Sequence, residues 1–391
     1  MSPIRRLYLS ALLMDTAFFG GWAAIPFLVR HHESGLFLDD GELGLLRGAA
    51  ALTYVIGTIF LSPLWIKRNH ALVARSGALI VGLCFVLASV ATEPWMLYMA
   101  LSTSGLALSL YWPNLMSLVG TAPGRTLVER IGSFNCWWST GKAVAFLAAA
   151  FLLDELEWPA LTIRCAGFFI LAPLLLVPGA SGPKQAPPEL APAEIRGREE
   201  FFRAALIAIF ACWFLAGVWE NQFPEGLGRA RLGEAFGIGY PFWANMLLFS
   251  MNLGLALGFY ALRCWRSWPA MASTIAAAAL LLVLCQAIAL WTHSAAGIAC
   301  CLFLMGACFA VLYGQSLYHA QAGQQAKVRR SGIHEGVLWI GQLLGPTLGG
   351  LLVELSGRLE AAFELNLLVV TLCLLGVLYV LRAGARQRRS R

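Results

Sequence analysis

Apolar runs of about 20 residues follow one another along the whole chain, and the polar residues collect in short gaps between them. A helix of that length crosses the roughly 30 Å of bilayer hydrocarbon. The pattern predicts twelve such spans, at 7–29, 43–65, 70–91, 94–119, 131–153, 158–178, 201–222, 238–262, 268–290, 294–319, 331–354 and 360–381. The fold class is therefore all-α and integral to the membrane. The first run follows a basic start, MSPIRRL, as a signal peptide would. It is too long for one and no small-residue cleavage site follows, so it is read as the first span.

Between the sixth and seventh runs, PGASGPKQAPPELAPAEIRGREE is rich in proline and in both signs of charge, and reads as a flexible linker. The expected organisation is a six-helix half over 1–178, a linker over 179–200, and a second six-helix half over 201–391 that ends in a basic tail.

Composition agrees with a membrane protein, since 59% of the 391 residues are hydrophobic and 13% are charged, about half the charge of a soluble domain. A net charge of +7 would suit nucleic acid, but the placement of the charges points to a bilayer, and no nucleic-acid partner is expected. Most of the 28 Lys and Arg fall at the two chain ends, in the linker or in alternate loops. By the positive-inside rule that side is cytoplasmic. The chain is thus expected as a multi-pass, monomeric protein of the cell membrane with both termini in the cytoplasm. The opposite side keeps Arg30, Arg47, Arg164, Arg229, Arg231 and Arg358, and Lys142 stands alone inside a span. The ten cysteines lie in or at the end of apolar runs without a CxxC, as packing residues or free thiols.

The second half repeats the first. At an offset of about 200 residues, RSGIHEGVLWIGQLLGPTLGGLLVEL aligns with RIGSFNCWWSTGKAVAFLAAAFLLDE. Gly132 meets Gly332, Gly141 meets Gly341, and Ala145, Ala149 and Ala150 meet Gly345, Gly349 and Gly350. Small residues at these rungs let membrane helices approach closely. Tyr111 likewise matches Tyr313 with a small shift, and Trp22 and Pro26 match Trp219 and Pro224. Six helices followed by six related helices of the same orientation form a parallel repeat about an axis along the membrane normal.

On these features the sequence resembles the major facilitator superfamily over nearly its whole length. Gly332-x8-Gly341-x3-Gly345-Pro346-x2-Gly349-Gly350 is similar to that family's glycine-proline pattern, best known from helix five of proton-driven antiporters. Here the intact copy lies on helix eleven. The family's Gly-x-x-x-Asp-Arg-x-Gly-Arg loop between helices two and three is reduced to Lys67 and Arg68 in LSPLWIKRNHALVARSG. The resemblance implies two pseudo-symmetric halves rocking about a midplane site. It also implies that helices one, four, seven and ten line the cavity, which selects Trp22, Asn114 and Gln315.

Ionised residues inside a span cost roughly 2.5–3.5 kcal/mol on insertion scales, so each needs a partner, a watery cavity or a task. Asp15 and Lys142 lie at similar depths, ~12 and ~16 Å from the cytoplasmic ends of their spans, and an Asp15–Lys142 ion pair is expected, either as a strut or as a functional site. Asn135, Ser139 and Lys142 share one helical face, as do their counterparts Glu335, Trp339 and Gln342; both stripes are expected to face the central crevice. His334 and Glu335 adjoin near the start of helix eleven, either carrying a coupling proton or solvated at the headgroups. Glu220, with Asn221 and Gln222, is expected at the outer mouth of helix seven, which Pro224 ends. Tyr318 on helix ten and Trp138 on helix five complete the candidates, each equally suited to packing.

No P-loop, HExxH, cysteine cluster or GxSxG elbow is present. No enzymatic activity, cofactor or metal is expected. Two classes remain. The first is a transporter of a small organic solute by alternating access, driven by a proton gradient or by the solute's own. The second is a non-transporting sensor or scaffold on a transporter fold.

Overall fold

The computed structural model describes residues 2–30, 36–61, 69–122, 126–155, 158–178, 198–223, 240–265, 267–322 and 327–389. Most of the linker, together with Pro224, Lys67 and Arg68, lies outside the described residues. Among the described residues there is no strand. The first half comprises α1 (Pro3–Arg30), α2 (Asp40–Ile56, continued by a π-helical turn Gly57–Leu61), α3 (His70–Ala88), α4 (Pro94–Thr121), α5 (Leu127–Glu155) and α6 (Pro159–Phe169, resumed as Ala172–Leu176). The second comprises α7 (Arg198–Gln222), α8 (Tyr240–Cys264), α9 (Ala272–Trp291), α10 (Ala295–Gln321), α11 (Lys327–Ser356) and α12 (Ala361–Arg389). Each coincides with an expected span.

Eleven of these helices are long and apolar enough to cross a membrane. The twelfth, α4, has the length, at 28 residues, but Tyr98, Tyr111, Trp112, Pro113 and Asn114 dilute its hydropathy. It packs against α2 and α3 within the bundle, so it need not be apolar all round.

Local chemistry sets the helix starts. At α2, the Glu42 amide donates to Asp39 Oδ1 at 2.7 Å and the Asp39 amide donates to Glu42 Oε2 at 3.1 Å, a reciprocal cap. This start places Arg47 two turns inside the helix, ~10 Å from its end. Asn69 caps α3, accepting from the amides of Ala71 and Leu72, while Pro94 and Pro159 begin α4 and α6.

The repeat is visible in the closest helix contacts. A Cβ on Gly105 would strike the Ala50 carbonyl, bringing α4 onto α2, and one on Gly306 would strike the Met251 carbonyl, bringing α10 onto α8. The two contacts are related by the same displacement along the chain. In the same way Gly141 seats α5 on the α1 backbone at Leu12, and Gly341 and Gly345 seat α11 on the α7 backbone at Phe210 and Phe214.

The halves meet chiefly through α2 with α11 and α5 with α8. At the end of the bundle opposite the termini, Gly350 abuts the Asp40 carbonyl, Gly44 abuts the Pro346 carbonyl, and the rings of Phe151 and Phe242 lie 5.3 Å apart. At the terminal end Gly132 backs onto the Arg263 backbone and Gly120 onto the Gln321 amide. The halves therefore touch at both ends, with a polar centre between them.

Candidate binding site

Lys142 Nζ donates to Glu220 Oε1 at 2.5 Å, and Arg47 Nη2 donates to the other oxygen, Oε2, at 2.5 Å. The Lys142 and Glu220 side chains are each 1% exposed. Arg47 Nε also donates to Gln342 Oε1 at 3.3 Å. Aromatic faces cover both cations: Lys142 Nζ lies 4.1 Å from the Phe19 ring and 4.7 Å from that of Trp213, and the Arg47 guanidinium lies 5.1 Å from Trp22. One carboxylate thus ties α2 and α5 of the first half to α7 of the second, and Arg47 reaches on to α11.

The expected Asp15–Lys142 ion pair is not formed, because Glu220 takes the lysine. Asp15, 3% exposed, makes no hydrogen bond or salt bridge among the described residues. Glu220 is buried rather than standing at an open mouth. Counting depth from span ends missed this pairing. Lys142 lies ~22 Å into α5 and Glu220 ~33 Å into α7, and a long lysine directed along its helix closes much of that difference. Arg47, expected on the outer side, is a second buried base, because the α2 cap starts that helix early.

Beside this cluster lies a cavity of about 60 Å³ between the halves. Its walls include Asp15 and Trp22 of α1, Arg47 of α2, Trp138 of α5, and Glu335 and Gln342 of α11. Trp112, Trp213, Tyr313 and Trp339 add aromatic faces. Toward the terminal end, the Tyr54 hydroxyl donates to Glu335 Oε2 at 2.6 Å, and the Tyr54 ring stacks on Trp339 at 4.3 Å. This second link also joins the halves, α2 to α11. His334 lies behind the wall, its Nδ1 2.8 Å from Ser316 Oγ and its ring 4.7 Å from that of Tyr313. His334 Nε2 is 3.6 Å from Glu335 Oε1, too far for a hydrogen bond. Both residues are buried, not solvated at the headgroups, because α11 begins at Lys327 and carries them two turns inward.

The remaining candidates lie off the cavity. Asn114 donates to the Leu110 carbonyl at 2.7 Å and meets His70 Nδ1 at 2.6 Å, linking α4 to the start of α3. Gln315 donates to the Trp268 carbonyl at 2.7 Å and to Thr274 Oγ1 at 3.0 Å. Tyr318 packs edge-on against Trp268. Asn135 accepts from Trp138 Nε1 at 3.0 Å and so orients that ring; Ser139 bonds back to the Asn135 carbonyl. Of the glycine pattern, Gly341 and Gly345 meet α7, Gly349 meets Val218 and Ala362, and Gly350 and Pro346 meet α2, whereas Gly332 has nothing nearer than Thr58 at 3.6 Å. Arg47, Tyr54, Trp112 and Trp213 were not singled out from the sequence. Only Arg47 carried a signal, in the Asp39–Glu42 cap. Among the described residues no cluster of His, Cys, Asp and Glu is arranged to hold a metal.

The sequence profile of the Major Facilitator Superfamily matches residues 7–330. No curated protein sequence matches significantly. Among solved structures, the nucleoside transporter NupG superimposes with a TM-score of 0.67 at 12% identity, over 97% of this chain and 99% of that one. The human organic anion transporter MFSD10 gives 0.67 at 15% identity, over 96% and 100%. FucP in its outward conformation gives 0.65 at 16% identity, over 97% and 99%. At these identities the likeness speaks for the fold, and it is the fold described above: twelve helices in two related halves around a buried polar cavity. The chain belongs to the Major Facilitator Superfamily of membrane transporters.

Proposed function

We propose that this protein moves a small organic solute across the cell membrane by alternating access, as a monomer with both termini in the cytoplasm. The halves over 1–178 and 201–391, joined by the linker over 179–200, rock about the central cavity. The observation that carries the reading is the pair of cross-links that bracket this cavity. On the side away from the termini, Glu220 holds Arg47 and Lys142; on the terminal side, Tyr54 holds Glu335 and stacks on Trp339. Each joins the two halves, so opening either side gives up one link while the other persists.

The energetic scale fits a gate. Breaking a buried ion pair and leaving one charge alone costs about 3–5 kcal/mol, so the outer link opens only when water or solute replaces its partners. Asp15, Trp22, Trp138, Glu335 and Gln342 contact the solute. Asn114, Asn135, Gln315 and Tyr318 hold the surrounding helices. Gly341, Gly345, Gly349 and Gly350, with Pro346, keep α11 close to its neighbours so that the half moves as one body. Gly332 marks where that packing loosens at the terminal end. Where the driving force is a proton gradient, Asp15 and the His334–Glu335 pair are the groups that carry the proton.

Reconstitution tests the reading. Proteoliposomes containing the full chain are assayed for uptake of a panel of labelled cationic, anionic, zwitterionic and neutral solutes, with and without an imposed pH gradient. Saturable flux of at least one solute is expected, and its response to the gradient decides the coupling. No flux from any member of the panel would leave the sensor or scaffold reading in its place.

A further inference from the structure

The acids and bases around the cavity are not all paired. Two bases, Arg47 and Lys142, share the Glu220 carboxylate, while Asp15 and Glu335 both face the cavity. Glu335 receives the Tyr54 hydroxyl and has Tyr313 and Trp339 as further neutral donors. Asp15, 3% exposed, has no hydrogen-bond or salt-bridge partner among the described residues. Asp15 is therefore the cavity carboxylate left without a partner among the described residues, and a bound cation would hold it ionised. The walls around Asp15 are aromatic, with Trp22, Trp112, Trp138 and Tyr313 presenting the kind of π-faces that attract quaternary and protonated amines. Arg47, the cation on the wall, already has a carboxylate and a carbonyl as partners and a tryptophan beneath it, so it offers little to an anion.

We propose that the cavity selects an organic cation, its ammonium charge balanced by Asp15 and its apolar body lying against Trp22, Trp112 and Trp138. This rests on the transporter reading and supplies its substrate class. The bound cation supplies the partner that Asp15 lacks, and it enters as the halves part, since the closed cavity of about 60 Å³ is smaller than such a molecule.

The probes are benzyltrimethylammonium, its uncharged carbon isostere neopentylbenzene, and the anion 3-phenylpropionate. Binding to the full-length, detergent-solubilised protein is read by intrinsic tryptophan fluorescence, with five tryptophans on the cavity wall. The cation is expected to bind at least roughly tenfold more tightly than the isostere, the scale of one charge contact, and the anion more weakly than either. In Asp15→Asn the preference for the cation over the isostere disappears, and in Asp15→Glu it returns. Equal binding of cation and isostere by the wild type, or tighter binding of the anion, overturns the proposal without needing any variant to fold. So does an Asp15→Asn protein that keeps the preference. Flux of an anionic or neutral solute in proteoliposomes, with no cation preference in binding, would sink this inference and leave the transporter reading standing.

Discussion

Replacing Glu220 by glutamine removes the charge that holds two buried cations. Lys142 loses a 2.5 Å ion pair within a site that is 1% exposed, and Arg47 loses its own. Breaking a buried pair by removing one partner costs about 3–5 kcal/mol, whereas removing both members is often near neutral. At about 2 °C per kcal/mol for a large domain, Glu220→Gln should lower the melting temperature by roughly 6–10 °C. Lys142→Met alone leaves Glu220 its Arg47 partner and should cost less. The combined Lys142→Met/Glu220→Gln protein leaves only Arg47 without its carboxylate and should melt above the Glu220→Gln single variant. The assay is thermal unfolding of the four purified proteins in one detergent, followed by tryptophan fluorescence, and the quantity of interest is the double-mutant coupling. A coupling of about 1 kcal/mol or more is expected for groups in direct contact. Additive losses, or a Glu220→Gln protein as stable as wild type, would refute the buried triad.

Three further outcomes follow from particular contacts. Tyr54→Phe removes the 2.6 Å hydroxyl donor to Glu335 Oε2; losing a buried hydrogen bond costs about 1 kcal/mol, so thermal unfolding should shift down slightly while Trp339 keeps its stacked ring. Gly345→Leu drives a side chain into the α7 backbone at Phe214, whereas Gly336→Ala meets nothing nearer than Ile59 at 3.6 Å; size-exclusion profiles should show aggregated protein for the first and a monodisperse peak for the second. Gly357, between α11 and α12, has φ of 64°, and Gly357→Ala should cost roughly 1 kcal/mol in the left-handed region, read as a small drop in melting temperature with unchanged ligand binding.

The twelve helices and their two-fold repeat were legible because lipid imposes one rule on every span: about 20 apolar residues, with backbone groups satisfied within the helix. α4 shows the limit of that rule, since a helix buried among others escapes it. The site was legible in part. Asp15, Trp22, Trp138, Glu335 and Gln342, singled out because polar or aromatic residues at a span centre stand out, line the cavity. The partner of Lys142 was not, because pairing depends on helix tilt, side-chain reach and the ends of helices, none of which hydropathy records. Read from sequence, Glu220 stands at the outer mouth and Lys142 pairs with Asp15; in the folded bundle Glu220 is buried and lies 2.5 Å from Lys142. Tyr54 and Trp213 are ordinary apolar-run aromatics in sequence, and their roles follow from what the opposite half brings to them.

The central claim is that the halves must part at the end away from the termini for solute to pass. A Cβ on Gly48 would fall against the Thr347 hydroxyl across the α2–α11 contact, so Gly48→Cys/Thr347→Cys places two thiols to be joined there. The measurement is flux of a transported solute into proteoliposomes of this variant, before oxidation, after oxidation and after reduction, with wild type treated alike to account for the native cysteines. Flux that stops on oxidation and recovers on reduction is the predicted result. Flux that continues undiminished with the crosslink formed would contradict the account.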